Sequence, residues 1–348
     1  MTKNKLKIGI IGAGMIGDVH IKNIRKDGRA AVKWIATRTQ KTLDEKIKKF
    51  DLQHGTRDYK EILDDPEVDA VVISAPPFTH YEMLKNSLEA GKHVLMEKPL
   101  APNSEEVEAM VAEVEKYPEL TVLECSCRHA RLQPKFDFVK NMIDSGKLGD
   151  VYYIHHNHVM RSTFIEWNPA GGWALQKEKA GGGPLVDWGV YDLSFHLGLL
   201  DDKPELDSVQ SFTKNGLKVF PKGTSVEPNI EEHGVAYLTF NNGLKYFYER
   251  GAGAHFEVQN KSRVYGTKGG LQFSFCSWDP AEVEFYYLDK EDQEQHKTLK
   301  VDVPEEHDDD FELTKHFLDC LLEDAEPRMP VQLAAKHMDI IYQILDNE

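Results

Sequence analysis

The chain has 348 residues, 41% of them hydrophobic, which is enough for two globular cores. Its 42 basic and 58 acidic residues give a formal net charge of −16, which repels nucleic acid and anionic membrane surfaces. We find no signal-peptide pattern, no apolar run long enough to span a membrane, and no disulfide, zinc or redox spacing among the four cysteines. We therefore expect a cytoplasmic protein without nucleic-acid or membrane partners and without a bound metal.

The first predicted strand and helix flank a glycine-rich turn. The strand is indicated by three apolar residues, Ile8, Ile10 and Ile11. Three glycines follow with the spacing GxGxxG, just before a helical pattern: Gly12, Gly14 and Gly17. Such glycines permit a tight turn and let backbone N–H groups approach a pyrophosphate at the helix N-terminus. The turn therefore predicts a dinucleotide site.

A second strand, residues 31–36, ends at Thr37 and Arg38. An NAD-specific fold places a carboxylate here to hold the ribose hydroxyls. A hydroxyl followed by an arginine suits a 2′-phosphate instead, because a guanidinium can grip phosphate with two parallel hydrogen bonds. We therefore expect NADP as the preferred cofactor and NAD as the other candidate. The alternative is that Arg38 is a solvated loop residue beside the lysine-rich helix that follows.

Strands and helices continue to alternate up to residue 127. Residues 68–74 form a continuous apolar run, typical of a parallel strand covered on both faces, and the run stops at Ala75, Pro76 and Pro77. The remaining elements of this part are helices at 79–90 and 104–116 and strands at 93–96 and 120–126. This pattern predicts a Rossmann domain, a doubly wound parallel sheet, over residues 1–127, with ligands at the carboxyl ends of the strands.

Residues 128–348 show another pattern, with long alternating strands. We predict strands at 151–160, 256–265 and 281–288 and a hairpin over 234–250 with its turn at 241–243. We predict helices at 134–145, 190–200, 309–323 and 331–345. The second domain is therefore expected to be α+β, with a large, mostly antiparallel open sheet, and the fold class of the whole chain is α/β.

Three stretches carry a family resemblance: the glycine turn, the turn Glu97-Lys98-Pro99, and residues 181–191. With them, the sequence resembles the Gfo/Idh/MocA family of oxidoreductases. Further marks of that family are residues 69–73, Pro76 with His80, residues 90–94 and residues 266–271. The resemblance covers nearly the whole chain and implies a Rossmann domain followed by a mostly antiparallel α/β domain.

The resemblance also implies the catalytic residues. The family's lysine falls on Lys98 and its aspartate on Asp187, while Tyr191 stands where many members carry a histidine. Residues at positions i and i+4 share a helix face, so Asp187 and Tyr191 can address one substrate hydroxyl. Ser194 replaces a further aspartate of many members, which leaves the hydrogen bonding of that helix open.

The expected cofactor-binding residues follow the strand ends: Gly12, Gly14, Met15, Ile16, Thr37, Arg38, Ala75, Pro76, His80, Glu97 and Lys98. The candidate substrate wall consists of Arg161, Trp167 and Trp173, together with Asp187, because tryptophan faces stack well on sugar rings. The alternative is that both tryptophans merely anchor a long loop.

We thus expect an NAD(P)-dependent oxidoreductase that moves a hydride between nicotinamide and a hydroxyl or carbonyl carbon of a sugar, polyol or related small molecule. By resemblance, it should be a homodimer or homotetramer formed through the open face of the C-terminal sheet. Two alternatives are a glycosidase that uses bound NAD transiently and a catalytically silent, cofactor-binding regulator. Asp187 and Tyr191 speak against the first, and Lys98 speaks against the second.

Overall fold

The computed structural model describes residues 5–161, 172–215, 228–255 and 257–347. The chain forms two compact units, Met1–Arg128 with Asp308–Lys336, and His129–His307 with His337–Glu348. The sequence prediction placed residues 308–336 in the second domain, whereas their contacts place them in the first unit. Among the described helices, none has the length and apolar character needed to cross a bilayer.

The first unit contains a six-stranded, fully parallel sheet. Its strands are β1 (Leu6–Ile11), β2 (Ala30–Ala36), β3 (His54–Thr56), β4 (Ala70–Ile73), β5 (His93–Met96) and β6 (Val122–Glu124). They lie in the order β3-β2-β1-β4-β5-β6. The strand order therefore reverses at the neighbouring strands β1 and β4, with β2 and β3 on one side and β5 and β6 on the other. Ligands of doubly wound sheets bind at the carboxyl ends of the strands beside such a point.

The second unit contains an eight-stranded sheet. Its strands are β7 (Val151–Val159), β8 (Leu206–Lys214), β9 (His233–Phe240), β10 (Lys245–Gly251), β11 (Lys261–Gly266), β12 (Gly269–Phe273), β13 (Glu282–Leu288) and β14 (Glu294–Lys300). Their order is β14-β13-β12-β11-β7-β10-β9-β8. Only the β7–β10 pair is parallel among the strand pairs of this sheet in the described residues. The predicted fold class, a Rossmann sheet followed by a mostly antiparallel one, is therefore confirmed.

The helices are α1 (Met15–Asp27), α2 (Gln40–Phe50), α3 (Lys60–Leu63), α4 (His80–Glu89), α5 (Ser104–Val114), α6 (Pro134–Asp144), α7 (Lys177–Ala180), α8 (Pro184–Gly198), α9 (Asp309–Leu322) and α10 (Val331–Asp346). Within the first unit, α9 packs against α1. Arg29, which follows α1, donates to Asp27 at 2.7 Å and to Asp319 of α9 at 2.6 Å. This ion-pair network joins α9 to the end of α1 within the first unit.

Three predictions of local structure need correction. Strand β6 ends at Glu124, two residues before the predicted end, and Cys125–Cys127 form a 3₁₀ turn. Helix α8 begins at Pro184, six residues before the predicted start, because it is buried nearly all round and lacks a polar stripe that would mark its period. Strands β8 and β14 were not predicted, since both are polar edge strands without a clear apolar alternation.

Candidate active site

The β1–α1 turn has the form that a pyrophosphate site requires. Gly12 has φ +94°, and a Cβ added there would lie 2.7 Å from the Ser74 carbonyl oxygen, so only glycine fits. At Gly14 an added Cβ would meet no atom within 4 Å, and no side chain caps the N-terminus of α1. The uncapped N–H groups of the first turn and the open space beside Gly14 fit a bound phosphate.

The loop after β2 carries the two residues expected to read the ribose. Thr37 is buried and its hydroxyl donates to the Thr39 carbonyl at 3.0 Å, so its side chain is engaged within the loop. Arg38 is exposed and makes no hydrogen bond or ion pair with another residue in the described ranges. A guanidinium without a protein partner at this strand end is available to an anionic ligand.

His80 joins the turn after β4 to the turn after β5. It is completely buried, with Nε2 2.8 Å from the Ala75 carbonyl oxygen and Nδ1 3.1 Å from those of Pro99 and Leu100. Burial lowers the pKa of His80, and the three carbonyl contacts act in the opposite direction. His80 would therefore affect a bound cofactor only indirectly, by holding the turns after β4 and β5 in place.

Glu97 is the centre of a buried ion-pair network below the β5 turn. Its Oε1 accepts from His20 and from Arg128, both at 2.9 Å, and its Oε2 accepts from the Lys98 amide at 3.2 Å. Burial alone would raise the pKa of Glu97, but Arg128 and His20 lower it well below its usual range. An ionised carboxylate thus fixes the turn that carries Lys98, at the carboxyl end of a central parallel strand.

His20, Glu97 and Cys125 bring potential metal-ligating atoms within 4.8 Å of one another. Glu97 is already committed to Arg128, and a guanidinium 2.9 Å away disfavours a second cation. Burial raises the pKa of Cys125 well above its usual value, so the thiol stays protonated. We therefore interpret these three residues as part of the buried ion-pair network around Glu97 and not as a metal-binding site.

In the second unit, Glu231 supplies the cap that the sequence of α8 lacks. Its carboxylate accepts from the amides of Gly183 at 2.7 Å and Leu185 at 2.9 Å. The glycines before the helix allow this approach, since a Cβ at Gly183 would lie 2.0 Å from the Glu231 carbonyl oxygen. Sequence reasoning missed Glu231, because it lies 46 to 48 residues beyond the amides that it caps.

Asp187 and Tyr191 lie four residues apart on α8, because the helix begins at Pro184, before its predicted start. Tyr191 is only 1% exposed, and its ring belongs to an aromatic cluster, which we define as His129, Trp188, Tyr191 and Trp278. The Tyr191 ring lies 5.1 Å from that of His129 and 5.3 Å from that of Trp188, while Trp278 contacts Trp188 at 5.7 Å. Trp278 is 60% exposed, so the aromatic cluster has one open face.

Asp192, next to Tyr191, anchors α8 to β10. Its carboxylate accepts from Arg250 Nε at 2.9 Å and Nη2 at 2.5 Å and from the Tyr248 hydroxyl at 2.9 Å. All three side chains are completely buried, and the Arg250 guanidinium lies 5.3 Å from the ring centre of Trp188. The hydrogen bonding of the helix around Ser194 is supplied by Arg131, whose Nε donates to the Ser194 carbonyl at 2.9 Å.

The candidate substrate wall is only partly described. Arg161 is exposed and lies 3.4 Å from Glu257, and Trp173 packs against a small core of Ala174, Leu175, Ile230 and Ala252. Trp167 lies outside the described residues. Trp173 thus fits the loop-anchoring alternative. Trp278, which sequence reasoning missed, lies just before Pro280 in a loop without a regular period.

These features define an oxidoreductase of two structural units, the first of which contains an NAD-binding Rossmann sheet. Residues 6–123 match the oxidoreductase family with an NAD-binding Rossmann fold, and residues 136–272 match the GFO/IDH/MocA C-terminal domain. The chain belongs to the Gfo/Idh/MocA family of NAD(P)-dependent oxidoreductases, which confirms the resemblance found in its sequence.

Several curated relatives are named dehydrogenases. The chain is 26% identical over 272 residues to myo-inositol 2-dehydrogenase of Thermotoga maritima, covering 76% of this chain and 74% of the relative. It is 28% identical over 281 residues to trans-1,2-dihydrobenzene-1,2-diol dehydrogenase of Bos taurus, covering 80% and 77%. A solved levoglucosan dehydrogenase, in complex with NADH and levoglucosan, shares the fold with a TM-score of 0.83 and 21% identity, covering 99% and 97%.

Proposed function

We propose that this protein is an NAD(P)-dependent dehydrogenase that interconverts a hydroxyl and a carbonyl group of a sugar, cyclic polyol or related small molecule. The observation that carries the proposal is the β5 turn, where an ionised, buried Glu97 fixes the backbone of Lys98 at the carboxyl end of the parallel sheet. The names of the relatives support the substrate class, since they include an inositol and a diol dehydrogenase. They favour neither a glycosidase nor a silent regulator.

Three side chains would carry the chemistry. The Lys98 ammonium would stabilise negative charge on the substrate oxygen, and the Tyr191 hydroxyl would transfer the proton that this oxygen loses or gains. Asp187, one helical turn before Tyr191, would orient the hydroxyl that reacts. When bound, the nicotinamide cofactor supplies the acceptor or donor of the hydride.

The cofactor would be held by the turns after β1, β2, β4 and β5. The open space at Gly14 and the uncapped start of α1 suit the pyrophosphate, and the exposed guanidinium of Arg38 suits a 2′-phosphate. We therefore propose NADP as the preferred cofactor. The loop after β2, where an NAD-specific fold places a carboxylate, has the sequence Thr37-Arg38-Thr39.

The aromatic cluster supports a substrate with a flat, apolar ring face. The exposed ring of Trp278 stands beside the half-buried Trp188, and Trp188 contacts Tyr191. The C–H face of a sugar or cyclitol ring packs well on indole, while its hydroxyls remain available to Asp187 and Tyr191. We propose this cluster as the substrate wall, in addition to the loop around Arg161.

We also propose that a second copy of the chain covers the outer face of the eight-stranded sheet. Neighbouring strands place aromatic rings there in register: Tyr265 opposite Tyr153, and Phe247 opposite Tyr237. Phe212 and Tyr286 on the same face are 60% and 45% exposed. A cavity of about 380 Å³ lies beside Tyr286 and Tyr265. An apolar patch of this kind is stabilised when a self-complementary surface excludes water from it.

A turnover assay tests the proposed activity. Purified protein is mixed with NADP or NAD and a panel of inositols, aldoses, anhydrosugars and cyclic diols, and nicotinamide absorbance is followed. We expect at least one cyclic substrate to reduce the cofactor, and Lys98→Ala to lose about a hundredfold or more in turnover. Hydrolysis of a glycoside without net cofactor reduction, or tight cofactor binding without turnover on the whole panel, would contradict the proposal.

A further inference from the structure

Glu124 ends strand β6, which pairs with β5 in the sheet of the first unit. The register places Glu124 opposite Met96, two residues before Lys98. Its amide donates to the Met329 carbonyl at 2.9 Å, which fixes the backbone at this point. The side chain of Glu124 therefore belongs to the strand end immediately beside the Glu97-Lys98 turn.

The carboxyl of Glu124 is buried and has no paired cation in the part of the chain that the structure describes. It is 1% exposed, and its Oε2 accepts from the Ser126 amide at 2.6 Å. Among the described residues, no lysine, arginine or histidine nitrogen lies within 4.0 Å of it, in contrast to Glu97, which has two such partners. A buried carboxyl without a counter-ion is costly to ionise, so the environment governs its charge.

The charged and titratable groups around Glu124 come from three segments. The β5 turn contributes Glu97 and Lys98, and the segment after β6 contributes Cys125, Cys127 and Arg128. The main chain of Met329 supplies the third contact, next to the exposed Arg328. Burial raises the pKa of Glu124 to about 7; the Ser126 hydrogen bond and the Lys98 ammonium act in the opposite direction, and the Glu97 carboxylate adds to the increase.

We propose that Glu124 is a positioning residue for Lys98, because its carboxyl, by holding or releasing one proton, sets the charge that the Lys98 ammonium experiences. In its ionised form the Glu124 carboxylate stabilises the Lys98 ammonium. In its neutral form the Glu124 carboxyl no longer does so. The inference rests on the proposed function in that it takes Lys98 as the group acting on the substrate oxygen.

The test compares Glu124→Gln, which cannot ionise, with the wild type between pH 5.5 and 8.5. We expect the ratio of wild-type to variant kcat to rise from about one at pH 5.5 to as much as about ten at pH 8.5, because the negative charge beside Lys98 forms only in the wild type. The KM for cofactor should stay within about twofold, since no cofactor contact is removed. Glu124→Asp keeps a carboxyl and should restore the pH dependence of the ratio.

Glu113→Gln is the matched control, because Glu113 is also buried in the first unit but lies on α5 and pairs with Lys116 at 2.6 Å. Its kcat ratio should not change with pH. Infrared spectra of the resting protein provide a readout without turnover: the protonated-carboxyl band that is lost between pH 6 and 8 should be weaker in Glu124→Gln than in the wild type, with the contribution of Glu231 common to both.

A kcat ratio for Glu124→Gln that stays constant with pH, or wild-type and variant spectra that lose the same band intensity between pH 6 and 8, would overturn the inference. Its failure differs from failure of the proposed function. If Lys98→Ala retained full turnover, Lys98 would not be catalytic, whatever Glu124 does.

Discussion

At the scale of single residues, two carboxyls beside Lys98 illustrate how environment sets charge. Glu97 and Glu124 are both buried, yet Glu97 has a guanidinium and an imidazole as partners and Glu124 has neither. The pKa of Glu97 is therefore held below its usual range, while that of Glu124 is raised to about 7. A permanently ionised group fixes the turn, and a titrating group lies next to it.

Cofactor preference is a prediction about one residue. Arg38→Ala removes the unpaired guanidinium, so the Kd for NADP should rise about tenfold to a hundredfold, the cost of one charge-assisted contact. The Kd for NAD should change by less than about threefold, because NAD has no 2′-phosphate. Both constants come from fluorescence titration, with Lys41→Ala as a control for loss of a nearby exposed positive charge. Equal weakening of both cofactors would show that Arg38 does not read the phosphate.

At the scale of elements, the β1–α1 turn separates two roles of glycine. Gly14→Ala should leave the melting temperature unchanged, since its Cβ meets no atom within 4 Å, but should raise the Kd of either cofactor about tenfold or more by filling the phosphate space. Gly12→Ala should instead lower the melting temperature, because φ is +94° and backbone atoms lie 2.7 Å away. Thermal unfolding with and without cofactor distinguishes the two. A Gly14→Ala variant with unchanged affinity would place the phosphates elsewhere.

The cap of α8 predicts a pH effect on stability. Burial raises the pKa of Glu231 to about 7 from a usual 4.5, so the folded protein keeps this proton where the unfolded chain has lost it. The contribution of Glu231 to the free energy of unfolding is therefore greatest below pH 4.5 and is lost as pH rises through 7. The free-energy difference between wild type and Glu231→Gln should fall by on the order of 3 kcal/mol from pH 4.5 to 7.5.

Urea unfolding at several pH values measures this difference, and the exposed Glu291→Gln serves as control. A difference that is independent of pH, or one that grows with pH, would mean that Glu231 is ionised throughout and acts as an ordinary cap.

Elements with a strong period were predictable from sequence, and contacts distant in sequence were not. The parallel strand β4 is an uninterrupted apolar run, and β1 and β5 are mostly apolar. The hairpin β9–β10 is indicated by its turn, where Gly243 has φ +89°. The Glu231 cap, the Asp192–Arg250 pair and the Trp278 contact join residues 46 to 90 positions apart. No local pattern specifies such pairs. Lys98, Asp187 and Tyr191 are proposed as catalytic residues only because the family motifs surround them.

At the scale of the whole molecule, the outer face of the eight-stranded sheet predicts the assembly. Phe247→Glu places a carboxylate among the aromatic rings of this face. In a symmetric assembly, the second copy of the chain, which carries the same carboxylate, would bury it. We expect the variant to sediment as a monomer at concentrations where the wild type is a dimer or tetramer. Phe78→Glu, an exposed phenylalanine of the first unit, is the matched control and should leave the assembly unchanged. A monomeric wild type would exclude this interface.

The proposed transfer of a proton by Tyr191 during substrate oxidation is tested by comparing kcat of wild type and Tyr191→Phe on the best cyclic substrate at saturating cofactor. The cofactor Kd is measured on the same samples. We predict a loss of about a hundredfold or more in kcat with cofactor Kd within about twofold, since acid–base groups typically contribute 10² to 10⁴. A Tyr191→Phe variant that turns over within about threefold of wild type would contradict the assignment, because another group would then carry the proton.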